Sequence, residues 1–242
     1  MLMRLNKFLA QAGISSRREA DKLIAEGRVS VNGQQVENLG VKIDPEKDVV
    51  KVDGRKVRKE EGQVYIMLNK PPGFLVTLKD SFGRANIMDL LPSFKKRFFP
   101  VGRLDYHSQG LLLLTNDGQL TFRLTHPRFK IKKVYLVRIK GELKPGQISR
   151  LEKGIILDGQ KTAPARIKII NSTATGSGLR IEIYEGRKRE IRRMFEAMGC
   201  RVVYLKRIKF GPLALGSLKR GQWRYLTPRE ISLLKRLTKS EV

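Results

Sequence analysis

The segment VGRLDYHSQGLLLLTNDG, Val101–Gly118, carries one carboxylate two residues after an arginine and shortly before four consecutive leucines. Around it the chain has 50 Lys and Arg residues against 23 Asp and Glu, a formal net charge of +27 at pH 7. A surface that positive attracts polyanions, and nucleic acid is expected as the partner ahead of an anionic membrane. An aspartate in such a surface weakens the attraction, so Asp105 needs another reason to be present. Either it accepts hydrogen bonds from backbone N–H groups of its own loop, or it is the carboxylate that acts on the bound partner. Metal chemistry is poorly supplied: Cys200 is the single cysteine, and His107 and His126 are the two histidines. That set makes neither an internal disulfide nor a cysteine-rich zinc site, and no metal is expected.

The elements that must position Asp105 can be read from the flanking pattern. Gly102 to Asp105 enters a loop, Gly110 releases it, and LLLLT reads as a buried strand ending in a turn at Asn116-Asp117-Gly118. From Val64 onward strand-like segments predominate: VYIMLNK, KVYLVRIKG, ARIKII, LRIEIY and RVVYLKRI. Two helical patterns interrupt them, around Gln147–Lys153 and around Lys188–Met198. In the second, Ile191, Met194, Phe195 and Met198 share one face and Gly199 ends it. NSTATGSG, Asn171–Gly178, reads as a flexible loop. The fold class expected is α+β, with a central mixed, largely antiparallel sheet.

Residues 4–33 read as helix, turn, helix and hairpin. Leu5, Phe8 and Leu9 make one apolar stripe, Gly13 stops the first helix, and Ser16 with Glu19 forms a capping box for the second. Ala20, Leu23 and Ile24 then face inward, leaving Arg17, Arg18 and Lys22 toward solvent. Asn32-Gly33 after Val29-Ser30-Val31 is a two-residue hairpin turn. GRKVRKEEGQ, residues 54–63, lacks apolar periodicity and reads as a linker, giving a small α/β domain over 1–59 and a larger one over 60–242. No apolar run approaches the length of about 18 residues needed to span a membrane, and the N-terminus lacks a signal-peptide pattern. A cytoplasmic protein without membrane association is expected.

Four ordered stretches carry a family resemblance. VGRLDYHSQGLLLLTNDG closely resembles the catalytic motif of the RsuA/RluB branch of pseudouridine synthases: GRLD, two variable residues, Thr or Ser, one more, then GLLLLT and a D-G turn. LNKPPGFLVT at Leu68–Thr77, KKVYLV at Lys132–Val137 and EGRKREIRRMFEAMG at Glu185–Gly199 fit the same family. The first 55 or so residues resemble the αL-type RNA-binding domain named for a small-subunit ribosomal protein. The resemblance implies isomerisation of uridine to pseudouridine in ribosomal RNA, with no cofactor. It makes Asp105 the catalytic carboxylate, acting as nucleophile on the sugar C1′ or as base toward C2′. It makes Arg192 the basic residue that pairs with Asp105, and Tyr135 the aromatic that stacks on the target base and assists proton removal at C5. Arg103 would occupy the space left by the extruded uridine, with Ile191 bordering the substrate site and Lys70, of a KPxG element whose stiff backbone supports the cleft, placed there as a supporting residue. Ser108 stands where the family usually has threonine, and His107 falls at a variable position and is given no catalytic role.

The charge is concentrated where an RNA would lie. Seven Lys and Arg and no carboxylate fall between Gly118 and Gly141, including Arg128, Lys130, Lys132 and Lys133. Residues 186–224 hold twelve Lys and Arg, among them Arg187, Arg189 and Arg193, against Glu190 and Glu196. With Arg4, Lys7, Arg17, Arg18 and Lys22 of the first domain, these are the expected phosphate contacts. Ribosomal RNA, or a subunit assembly intermediate containing it, is the expected partner of a monomer. Large-subunit RNA is favoured over small-subunit RNA, and a non-catalytic assembly factor or an RNA-cleaving enzyme are the rival readings.

Overall fold

The computed structural model describes residues 2–58, 62–94, 96–173 and 175–237, so the middle of the linker segment lies outside the described residues. The chain divides into two compact units, Met1–Gln63 with Phe94–Arg97 and Val64–Ser93 with Phe98–Val242.

In the first unit, helices α1 (Leu5–Gln11) and α2 (Arg17–Ala25) precede a small antiparallel sheet built on β1 (Val29–Val31) and β2 (Val50–Val52). Leu5, Phe8, Leu9, Ala20, Ile24, Val29 and Val50 share one core. The capping box forms as the sequence requires: Glu19 N–H donates to Ser16 Oγ and Ser16 N–H to Glu19 Oε2. Asn32 and Gly33 both take positive φ, the backbone that a tight hairpin turn demands. Arg4, Lys7, Arg17, Arg18 and Lys22 are all exposed on the surface of this unit.

The second unit contains β3 (Tyr65–Lys70), β4 (Gln109–Thr115), α3 (Gly118–Thr125), β5 (Lys133–Lys140) and α4 (Pro145–Lys153). Next along the chain come β6 (Arg166–Thr173), β7 (Gly176–Ile183), α5 (Glu190–Glu196), β8 (Arg201–Phe210), β9 (Trp223–Tyr225) and α6 (Pro228–Leu237). Among the described residues the strands form one sheet with main path β6-β7-β5-β8-β4-β3-β9. Every neighbouring pair is antiparallel except β4 with β8, so the sheet is mixed and largely antiparallel, as expected. All residues of β3 and β4 are buried, which accounts for their largely apolar sequence. Met67, Leu111 and Leu113 pack with Leu120 and Leu124 of α3 and Leu234 of α6.

Gly110 pairs with Arg207 in the short parallel ladder between β4 and β8. Its φ is +106°, and a Cβ there would collide with the backbone carbonyl of Arg207. Only glycine allows that approach.

Three segments differ from the sequence expectation. Asn116-Asp117-Gly118 ends the strand as expected, but it leads into a helix the sequence reading did not include: Asp117 caps α3, its Oδ1 accepting from Leu120 N–H at 2.9 Å. A turn aspartate and an N-cap aspartate use the same local hydrogen bonding, and only the residues C-terminal to them distinguish the two. Helix α6 has no counterpart among the expected elements. Asn171–Gly178 falls mostly within β6 and β7, because the backbone ladder pairs polar residues as well as apolar ones.

Candidate active site

The Asp105 loop is fixed from below by one amine. Lys70, at the end of β3, is fully buried, and its Nζ donates to the carbonyls of Pro71 (2.9 Å), Ser108 (2.9 Å), Asp105 (3.3 Å) and Tyr106 (3.4 Å). Burial lowers the Lys70 pKa to about 8, opposed by the field of Asp105. Ser108 N–H closes a turn onto Asp105 O at 3.0 Å, and Gly73 N–H donates to Tyr106 O at 2.8 Å. Lys70 therefore holds the loop backbone and does not border the cleft; it fits the supporting role expected of it and not a direct substrate contact.

Asp105 lies on a cleft of about 690 Å³ whose wall includes Arg103, Tyr135, Ile191, Arg207 and Phe210. Asp105 is half-buried, and its carboxylate makes no hydrogen bond or ion pair among the described residues. That leaves it available to a ligand. Tyr135 is buried on β5 with its side chain on the cleft, Ile191 borders the cleft from α5, and Arg103 is exposed beside Asp105.

Arg192 is buried, as its place beside Ile191 suggests, but it does not pair directly with Asp105. Nη1 donates to Val202 O at 2.9 Å and Nη2 to His107 O at 3.5 Å, tying α5 to β8 and to the Asp105 loop. Burial lowers its proton affinity, and Arg189 lowers it further, while the negative field of Asp105 opposes both. Arg192 thus acts on Asp105 through space, with carbonyls taking its donors.

The expected RNA-binding cations separate into two groups. Arg128, Lys130 and Lys132 are exposed, Arg128 lying over the rings of Phe122 and Phe129. Lys133 is not a surface contact: it is buried and donates to Ile131 O at 3.0 Å and Tyr184 O at 3.3 Å. Its pKa falls to about 8, first from burial and then from Arg207. Strand alternation carries the missed signal, since Lys133 and Tyr135 share a face of β5. Arg187 is tied to Glu185 and to the carbonyls of Gln160 and Lys161. Arg189 is ion-paired with Glu196, and Arg193 with Asp158.

Two carboxyl groups in the same cleft escaped the sequence reading. Glu185 and Glu190 share a hydrogen bond, Glu185 also accepting from Ala163 N–H and Glu190 from Arg187 N–H. Burial and then Glu185 push Glu190 well above the carboxylate range, from 4.5 to about 8. A raised folded-state pKa means the folded protein holds the proton more tightly, so this stabilisation is full below pH 4.5 and is lost as pH rises toward 8. Glu190→Gln mimics the protonated form. Its melting temperature should match wild type near pH 5 and exceed it increasingly toward pH 8; a pH-independent difference in thermal melts would contradict the shared proton.

The sequence relationships agree with this geometry. Residues 64–197 match the family model for RNA pseudouridylate synthase, and residues 3–50 match the S4 domain. The chain belongs to the RNA pseudouridine synthase family. It is 46% identical to the "Uncharacterized RNA pseudouridine synthase" of Aquifex aeolicus (strain VF5), covering 97% of this chain and 94% of that protein. It is 44% identical to the "Ribosomal large subunit pseudouridine synthase B" of Bacillus subtilis (strain 168), covering 97% and 96%. A solved pseudouridylate synthase structure superposes with a TM-score of 0.70 at 33% identity, over 96% of this chain and 99% of that one. The enzyme thus joins an S4 domain to a synthase domain, and RNA is its substrate class. No helix among its described residues is long and apolar enough to cross a membrane.

Proposed function

We propose that the enzyme isomerises a specific uridine of large-subunit ribosomal RNA to pseudouridine, with Asp105 as the carboxylate that acts on the ribose. The observation that carries the choice of RNA is the 44% identity, over nearly the full length of both chains, to the relative named for the large subunit. In this reading the target uridine leaves its stack and enters the cleft, Tyr135 stacks on the base, and Arg103 fills the vacated space. The N-glycosidic bond breaks, the base turns, and C5 bonds to C1′. Asp105 attacks C1′ or takes the C2′ proton; its unpaired, half-buried carboxylate suits either route. Arg192 braces the Asp105 loop at His107 and holds a fixed positive charge near the carboxylate. The surface cations of the S4 domain and of Arg128–Lys132 hold phosphates and bring the monomeric enzyme to its RNA element, free or within an assembly intermediate.

The test is tritium release from [5-³H]uridine-labelled RNA, with large-subunit and small-subunit RNA in separate reactions, because bonding at C5 displaces that hydrogen. Release from the large-subunit RNA alone is expected. Release confined to small-subunit RNA would overturn the choice of target, and release of free uracil would replace isomerisation with glycosidase chemistry.

A further inference from the structure

Beside Tyr135, the cleft holds a cation whose donors the carbonyls only partly take up. Arg207 on β8 is 3% exposed and lines the same cleft as Asp105 and Tyr135. It stands directly opposite Tyr135 in the β5–β8 ladder and opposite Gly110 in the β4–β8 ladder, between the strand that carries Tyr135 and the strand that leaves the Asp105 loop. The register of β5 against β8 shifts between Val134 and Tyr135, so the Tyr135–Arg207 pair sits at a bulge. Bulges re-aim side chains, and here the pair borders the cleft.

The guanidinium is anchored but not saturated. Nε donates to Leu111 O at 2.7 Å, and the group lies 5.0 Å from the centroid of Phe210. Nη2 is buried without a hydrogen-bond partner among the described residues. Lys133 Nζ approaches the same Phe210 ring at 5.8 Å, so two buried cations share one aromatic support. A buried, unpaired donor beside a second cation is destabilising in the free protein. It becomes favourable when an anion enters. The exposed rim already carries cations suited to phosphates, Arg103, Lys188 and Arg189 among them. Arg207 lies deeper than these, opposite Tyr135, the residue read above as stacking on the base.

We propose that Arg207 is a catalytic residue that stabilises the detached uracil anion. The inference rests on the isomerase reading above. When the C1′–N1 bond breaks, its electron pair stays on the base, which then carries one negative charge spread over N1, O2 and O4. The charge persists while the base turns. It is discharged when C5 bonds to C1′, the C5 proton leaves and N1 takes up a proton. A fixed guanidinium next to the base acts on that charge, which is absent from the bound uridine, and so favours the transition state over the ground state.

The test compares wild type, Arg207→Gln and Arg207→Lys in single-turnover reactions at saturating enzyme, on RNA containing either [5-³H]uridine or 5-fluorouridine. Tritium release reports the first, and nucleoside chromatography of the digested RNA reports consumption of the second. Fluorine withdraws electrons and makes the departing base a more stable anion, so it replaces part of what the guanidinium supplies. Arg207→Gln should lose about 10²-fold or more on uridine RNA and roughly tenfold less than that on 5-fluorouridine RNA, with RNA affinity unchanged. Arg207→Lys keeps the charge and most of the volume, so it carries the comparison if the glutamine variant fails to fold. Equal losses on both substrates would overturn the proposal, as would weakened RNA binding that accounts for the loss, which would assign Arg207 to a phosphate. If the wild type released no tritium, the isomerase reading would fall and this one with it.

Discussion

Asp105→Asn is expected to remove tritium release from [5-³H]uridine RNA, by about 10³-fold or more, while leaving the protein folded and bound to RNA. The carboxylate has no hydrogen bond or ion pair among the described residues, so the substitution breaks none, and what the fold loses is only its field on the buried Lys70 and Arg192. Its backbone carbonyl, which the substitution retains, is what Lys70 and Ser108 N–H hold. Removing one negative charge from a cleft bordered by several cations should keep RNA affinity equal or raise it. Thermal melting, a binding isotherm at fixed salt and the release assay together check the expectation. A variant that melted like wild type, bound RNA and still released tritium at the wild-type rate would remove Asp105 from the chemistry.

Lys70→Met should be the most damaging change away from the cleft. Lys70 is fully buried and its one amine satisfies four carbonyls, three of them in the Asp105 loop. Methionine fills much of the volume but donates nothing, leaving those carbonyls without that partner in the interior. We expect a stability loss of about 3 to 5 kcal/mol in denaturant unfolding, the scale for stripping the partner from a buried charged network. Activity should fall further than stability predicts, because the loop that aims Asp105 loses its brace. RNA affinity should hold, since the exposed cations are untouched. A variant with the predicted instability but wild-type single-turnover rates would mean that the loop keeps its geometry without the amine.

Much of the fold was legible because its signals are local. The capping box at Ser16 and Glu19, the Asn32-Gly33 turn and the apolar runs of β3 and β4 each depend on residues a few positions apart. Asp105 stood out by charge contrast, in a chain of net charge +27, and by the GRLD motif around it. Helix α3 was hidden because an Asn-Asp-Gly sequence serves a turn and a helix start equally well. The polar ends of β6 and β7 were hidden because strand pairing is a backbone event that Ser, Thr and Gly do not advertise.

The sequence by itself determined the family, the candidate carboxylate and the positive surface, since each is written in residue types and short spacings. Tertiary structure decided what each cation does. Lys133 and Arg207 fall in the basic runs expected to meet phosphates, yet both are buried, as are Lys70 and Arg192. Their donors meet carbonyls of segments up to 96 positions distant, as in Arg207 with Leu111. Burial of a charge depends on which strands become neighbours and in what register. Close approach of β4 to β8 at Gly110 and the bulge beside Tyr135 set that register, and with it which cations are left to meet RNA and which build the cleft.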